Sequence, residues 1–248
     1  NFSLKFFGLG LLTINNSILT NTKSFNNIFL NNLRRNTMAI ARVQISTSLI
    51  GKEADFMSAT SKGAELMQSK GLKNFLRVSH SGTPGIEVWS MTMFENWTEY
   101  GEAQQMMMSD QDIQAWYLDS ITNRTGEVLD SFEMVEVIGF EKGAETTGDV
   151  IFATAWDIIP AEGNGKNFIK SCHQAKEIHE KHGAKARLWQ GMGGTFSGQL
   201  IYSLGYEDFS AMGKIQDSFQ EDFAAFNRTA PVSATINRQM VLRSSTIL

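Results

Sequence analysis

The octapeptide Phe94-Glu95-Asn96-Trp97-Thr98-Glu99-Tyr100-Gly101 returns 112 positions later as Tyr206-Glu207-Asp208-Phe209-Ser210-Ala211-Met212-Gly213. With no gap, the same shift superposes Phe56 on Phe168, Glu65 on Glu177, Gly71 on Gly183, Lys73 on Lys185 and Leu76 on Leu188. It also brings Gly82-Thr83 onto Gly194-Thr195, Gln104 onto Gln216 and Asp110 onto Asp222. Between residues 56 and 117 there are eleven identities in sixty-two positions, about three times what composition alone gives. A period above one hundred residues is too long for a stacked solenoid. It marks two copies of a whole small domain.

Each copy reads as strand, helix, strand, strand, helix, strand. Ala41, Val43, Ile45, Thr47 and Leu49 alternate with polar residues, the period of a strand. Residues 55–69 carry Phe56, Ala59, Gly63, Leu66 and Met67 at helical spacing, and Gly71 stands where a helix ends in a left-handed residue. Strands over 75–80 and 86–93 flank the turn Ser81-Gly82-Thr83-Pro84-Gly85. Helices over 95–108 and 110–121 follow, and a strand over 132–140 closes the unit. In the second copy the spacing predicts a strand over 150–159, a helix over 164–182 stopped by Gly183, a hairpin over 186–204, a helix over 206–228 and a strand over 233–243. The organisation expected is a leader over 1–37, one repeat over 38–140, a linker over 141–148 and a second repeat over 149–248.

This duplicated element order, with the helix starts at Phe94–Trp97 and Tyr206–Phe209, resembles the ferredoxin-like unit of the dimeric α+β barrel superfamily. Its members include NIPSNAP-like proteins, antibiotic-biosynthesis-type monooxygenases, EthD-like proteins and haem enzymes related to chlorite dismutase. The resemblance covers Met38 to Leu242 and implies an α+β fold: two tandem ferredoxin-like units whose antiparallel sheets pack face to face into an intrachain α+β barrel. The interior of such a barrel can hold a small molecule. Fold analogy alone names no reaction.

Charge narrows the partners. The net charge is −4, but the first 37 residues hold Lys5, Lys23, Arg34 and Arg35 and no acid, so the remainder carries 18 basic against 26 acidic groups. That excludes nucleic acid as an expected partner. A single cysteine, Cys172, allows no intrachain disulfide and suits a reducing compartment. No run of eighteen apolar residues occurs, so no membrane span is expected. The asparagine-rich leader reads either as an extension ahead of a start at Met38, with a cytoplasmic protein, or as an organelle transit peptide.

Strand parity selects a candidate site. Leu76, Val88, Leu188 and Leu200 form the apolar set expected beneath the helices. The opposite face then carries Arg77, Glu87 and Trp89 from the first copy and Arg187, Trp189 and Gln199 from the second. A hairpin centred on Thr83 sets Arg77 opposite Trp89 and diagonal to Glu87, within reach of an ion pair beside an indole. Functionally this is a pocket with a polar handle and aromatic walls; structurally it is a paired arginine on a half-buried sheet. His80 stands at the hairpin mouth without an acid or nucleophile beside it.

Cys172, His179 and His182 share one helix, but no acid completes a familiar ligand spacing, so no metal is expected. A haem would need an axial ligand, and neither His179 nor His80 lies in a matching motif, so no cofactor is expected. Two functional classes follow. One is a binding protein or assembly module that takes a small organic ligand between its sheets, with a homodimer as a further expectation. The other is a cofactor-independent monooxygenase or isomerase acting on a small anionic or phenolic substrate, with Arg77, Glu87 or His80 as the polarising group.

Overall fold

The computed structural model describes residues 38–83, 85–157, 164–230 and 234–245. The leader therefore lies outside the described residues, as do residues 158–159 and 233 at the ends of two expected strands. In chain order the elements are β1 (Ile40–Ser48), α1 (Glu53–Ser69), β2 (Lys73–Ser81), β3 (Glu87–Phe94), α2 (Trp97–Ser109), α3 (Gln111–Thr122) and β4 (Gly126–Glu136). The second copy contributes β5 (Val150–Asp157), α4 (Asn164–Lys181), β6 (Lys185–Gly191), a 3-10 turn (Gly194–Phe196), β7 (Leu200–Tyr206), α5 (Phe209–Ser218), α6 (Gln220–Thr229) and β8 (Thr235–Ser244).

All eight strands join one closed antiparallel barrel in the order β1-β3-β2-β8-β5-β7-β6-β4. Each copy supplies four neighbours, and the copies meet along two seams. At β2–β8, Arg77 is opposite Ser244; at β4–β6, Glu136 is opposite Trp189. Closure leaves neither half with a free sheet edge at these seams, which is the physical gain of duplicating an open four-stranded sheet.

Local chemistry sets the helix ends in matching ways. Gly71 adopts φ 84° and Gly183 φ 95°. After each, the chain closes the same pair of bonds: Gly71 N to Gln68 O with Leu72 N to Met67 O, and Gly183 N to Glu180 O with Ala184 N to His179 O. This is the paired-bond ending that a left-handed residue permits. The repeated octapeptide earns its likeness at the other end of a helix: Asn96 Oδ1 accepts from Glu99 N at 3.0 Å, and Asp208 Oδ1 accepts from Ala211 N at 2.7 Å. Asp110 and Asp222 also play one part twice, tying the first helix of each copy to the last, through Lys70 at 2.8 Å and through His182 at 2.9 Å.

The sheet's two faces bury different cores. Inside the barrel lie Ala41, Val43, Ile45, Trp89, Met93, Phe132, Met134, Trp189, Ile201, Met240 and Leu242. Outside, Phe56, Val78 and Val88 pack under the first copy's helices, with Leu76 against them. Phe168, Leu188, Leu200, Tyr202 and Leu204 pack under those of the second.

Two boundaries differ from the sequence-based expectation. β4 begins at Gly126 and ends at Glu136 rather than spanning 132–140, because a register shift opposite Ile45/Ser46 breaks its alternation and Val137–Phe140 leaves the sheet in a turn. The helix expected over 206–228 is two helices, interrupted at Phe219 as the first copy is at Asp110.

Candidate functional site

Of the seven candidate residues, Arg77, Trp89, Arg187 and Trp189 reach one cavity inside the barrel. Its volume is about 50 Å³, with Phe75, Met91, Ile201, Ser203 and the linker residues 145–147 completing its walls. The hairpin is centred on Thr83, and Arg77 does stand opposite Trp89.

The expected Arg77–Glu87 ion pair is not formed. Glu87 accepts from Arg238 of β8 at 2.6 Å and from Trp89 Nε1 at 3.2 Å. Arg77 turns toward the seam, donating from Nη1 to Ser244 Oγ and to the carbonyl of Asp149 at 3.2 Å. The reason is topological: β8 sits on the other edge of β2 and brings a competing cation for Glu87 and the Ser244 acceptor for Arg77, and β5 beside it begins next to the Asp149 carbonyl. His80 is exposed, its ring 4.6 Å from that of Phe209, and Gln199 donates to Thr195 O at 3.0 Å in the β6–β7 turn. Neither lines the cavity.

Arg187 fastens the linker. It is 3% exposed, and its guanidinium donates from Nη1 to Glu145 O at 2.8 Å and from Nη2 to Gly143 O. The guanidinium carbon lies 5.0 Å from the Trp189 ring. Its Nε lies 3.0 Å from Glu136 Oε1, and Glu136 is fully buried. Burial pushes the Glu136 carboxyl up to about 7, with the Arg187 charge and the Lys142 N–H acting against that rise. The linker is thus an ordered strap over the barrel, with Ala144 buried in the inner core.

A larger space lies outside the barrel, between the second copy's helices and the outer face of its sheet. This pocket of about 500 Å³ is walled by Phe152, Phe168, Cys172, Ala175, His179 and Tyr202 together with Gln216, Phe219, Phe223, Phe226 and Gln239. In the first copy the indole of Trp116 covers Gly63 of the facing helix so closely that a Cβ there would collide with it. The repeat places Ala175 and the exposed Arg228 at those two positions.

His179 is a wall of this pocket, 4% exposed, with Nδ1 2.8 Å from the Tyr202 hydroxyl and its ring against Phe219 and Phe223. Burial, and next the neighbouring His182, lower its pKa to about 4, so the ring is neutral at pH 7. Burial likewise pushes the Cys172 thiol up to about 12. The three residues that the sequence places on one helix go different ways: Cys172 and His179 line the pocket, and His182, just past the end of α4, pairs with Asp222. Among the described residues no three His, Cys, Asp or Glu side chains converge on a point.

Strand parity does not point to this pocket, which lies under the helices rather than inside the barrel. One signal was present: Phe219, Phe223 and Phe226 share a face at i, i+4 and i+7, where the first copy has Met107, Gln111 and Gln114.

No protein-family model matches the chain, and no curated protein sequence does. Among solved structures, a provisionally assigned monooxygenase of Fusobacterium nucleatum is 14% identical with a TM-score of 0.57, covering 86% of this chain and 97% of its own. A provisionally assigned chlorite dismutase is 10% identical with a TM-score of 0.52, over 84% and 95%. A provisionally assigned monooxygenase of Lactobacillus acidophilus is 9% identical with a TM-score of 0.50, over 83% and 94%. At such identities the likeness establishes the fold alone: this chain is an α+β barrel, closed by the strands of two similar halves of one polypeptide. Among the described residues no helix is long and apolar enough to cross a membrane.

Proposed function

We propose that the protein binds a small, flat, largely apolar organic molecule in the pocket between α4, α6 and the outer face of β5, β7 and β8. The observation that carries this reading is the asymmetry between the copies. Trp116 packs over Gly63 in the first half, whereas the second half has Ala175 and the exposed Arg228 at those positions and encloses about 500 Å³ beside Ala175. That volume is in the range of small-molecule sites, and the walls have their composition: aromatic rings with a few polar groups, here Gln216, Gln239 and the His179–Tyr202 pair. The inner cavity, at about 50 Å³, has no room for such a ligand.

The walls also bear on haem, which the related enzyme families suggest. They contain one imidazole, His179, already engaged by Tyr202 and enclosed by two phenyl rings. No lysine or arginine is among the residues lining the pocket, so nothing there would neutralise a dianionic macrocycle. These residues fit a neutral ligand and do not fit haem.

Binding is better supported than catalysis. A general base works best with a pKa near the operating pH, whereas His179 is lowered to about 4 and burial drives the Tyr202 hydroxyl far above its ordinary value. The monooxygenase alternative has support only from names given to proteins of the same fold, and the isomerase alternative has none there.

The neutral fluorescent probe N-phenyl-1-naphthylamine tests the reading in the full-length protein. It should bind saturably at one site, and Ala175→Phe, which projects a ring into the pocket from α4, should weaken binding at least about tenfold while leaving the melting temperature nearly unchanged. Equal binding by both proteins would overturn the proposal.

A further inference from the structure

We propose that the barrel interior holds one small inorganic anion, of the size of chloride, between the guanidinium groups of Arg77 and Arg187. Both side chains line the inner cavity, and they are 2% and 3% exposed.

The buried charges around that cavity do not balance; the other acids that act on its two arginines, Asp149, Glu95 and Glu145, are exposed or partly exposed. Arg77 has no carboxylate within ion-pair distance among the described residues, and its Nε and Nη2 have no protein acceptor there. Only Nη1 is used, on Ser244 and on the Asp149 carbonyl. The carboxylate that parity assigned to it, Glu87, is taken by Arg238. Arg187 shares its surroundings with Glu136, yet its Nε makes no hydrogen bond, and Glu136 Oε2 is also without a partner. Glu145 contributes to the lining but is itself exposed. Two buried guanidinium groups therefore face one buried carboxylate whose burial favours its protonated form. An uncompensated charge in a low-dielectric interior is strongly unfavourable, and a bound counter-ion removes that penalty.

Size and wall chemistry select the class of ion. About 50 Å³ exceeds the roughly 10–15 Å³ that one water needs, so the cavity accepts a monatomic halide. The buried hydroxyl-bearing residues Thr147 and Ser203 line the same space, and Trp89, Trp189 and Ile201 form its apolar walls. Because the linker's 145–147 segment forms one wall and Arg187 holds that segment down, the ion would also strengthen the strap between the two halves.

Thermal melts of the full-length protein at constant ionic strength, with gluconate replaced stepwise by chloride or bromide, read this directly. The melting temperature should rise saturably with halide, with half of the effect below about 20 mM. Arg77→Gln should abolish the dependence, and Arg124→Gln, on the exposed surface, should retain it. Melting curves that ignore the anion, or an unchanged dependence in Arg77→Gln, would show a cavity that holds water only. A crystal of the wild-type protein soaked in bromide gives an independent reading should Arg77→Gln not fold. An anomalous peak between Arg77 and Arg187 supports the site, and its absence there overturns it.

Discussion

Arg187 Nε lies 3.0 Å from Glu136 Oε1 inside the barrel, a contact between the two halves in which both side chains are almost wholly removed from solvent. Burial raises the Glu136 pKa from 4.5 to about 7. The folded state therefore binds this proton more tightly than the unfolded chain, and the group's contribution to stability falls as pH rises from about 4.5 to about 7. We expect the unfolding free energy of wild type relative to Glu136→Gln to drop by about 1–3 kcal/mol across that window. Urea titrations of both proteins from pH 4.5 to 8 check it, and parallel curves would refute it.

His179 has the opposite sign. Its folded pKa is lowered to about 4, so it contributes stability above 6.5 that is lost as pH falls toward 4, where the unfolded chain alone takes up the proton. His179→Gln keeps a polar partner for Tyr202 and does not titrate. Relative to that variant, wild type should lose about 1–3 kcal/mol between pH 6.5 and 4. Because the Glu136 and His179 slopes oppose each other, each is visible only as a difference from its own variant, measured by chemical denaturation.

Arg238 is the cation that Glu87 uses. Arg238→Ala leaves a buried carboxylate without its partner, and with the arginine side chain 29% exposed we expect a cost of about 1–3 kcal/mol, below that of a fully buried pair. Adding Glu87→Gln should restore part of the loss. A double-mutant cycle with zero coupling would show the contact to be energetically idle.

Trp116 over Gly63 gives the fourth expectation. Gly63→Ala drives a methyl group into the indole and should cost about 1–3 kcal/mol. In a Trp116→Leu background the same substitution should cost far less. Differential scanning calorimetry of the four proteins decides this, and additive effects would contradict the close packing.

Much of the barrel was legible in the sequence because its signals are local. Gly71 and Gly183 end helices through backbone conformation, Asn96 and Asp208 start them through side-chain acceptors, and strand parity divides Arg77 and Trp89 from Leu76 and Val88. Each depends on neighbours within a few residues or on an alternation of period two, so a duplicated pattern states the topology twice.

The sequence by itself thus determined the duplication, the element order and the face to which Arg77, Trp89, Arg187 and Trp189 belong. Only the tertiary structure decided what those faces meet. Glu87 pairs with Arg238, 151 residues away, and Arg77 with Ser244, 167 residues away, because barrel closure lays β8 beside β2. The larger pocket lies where the second half carries Ala175 and Arg228 in place of the first half's Gly63 and Trp116. Such outcomes depend on the sum of volumes and charges brought together from distant segments, and no local pattern encodes that sum.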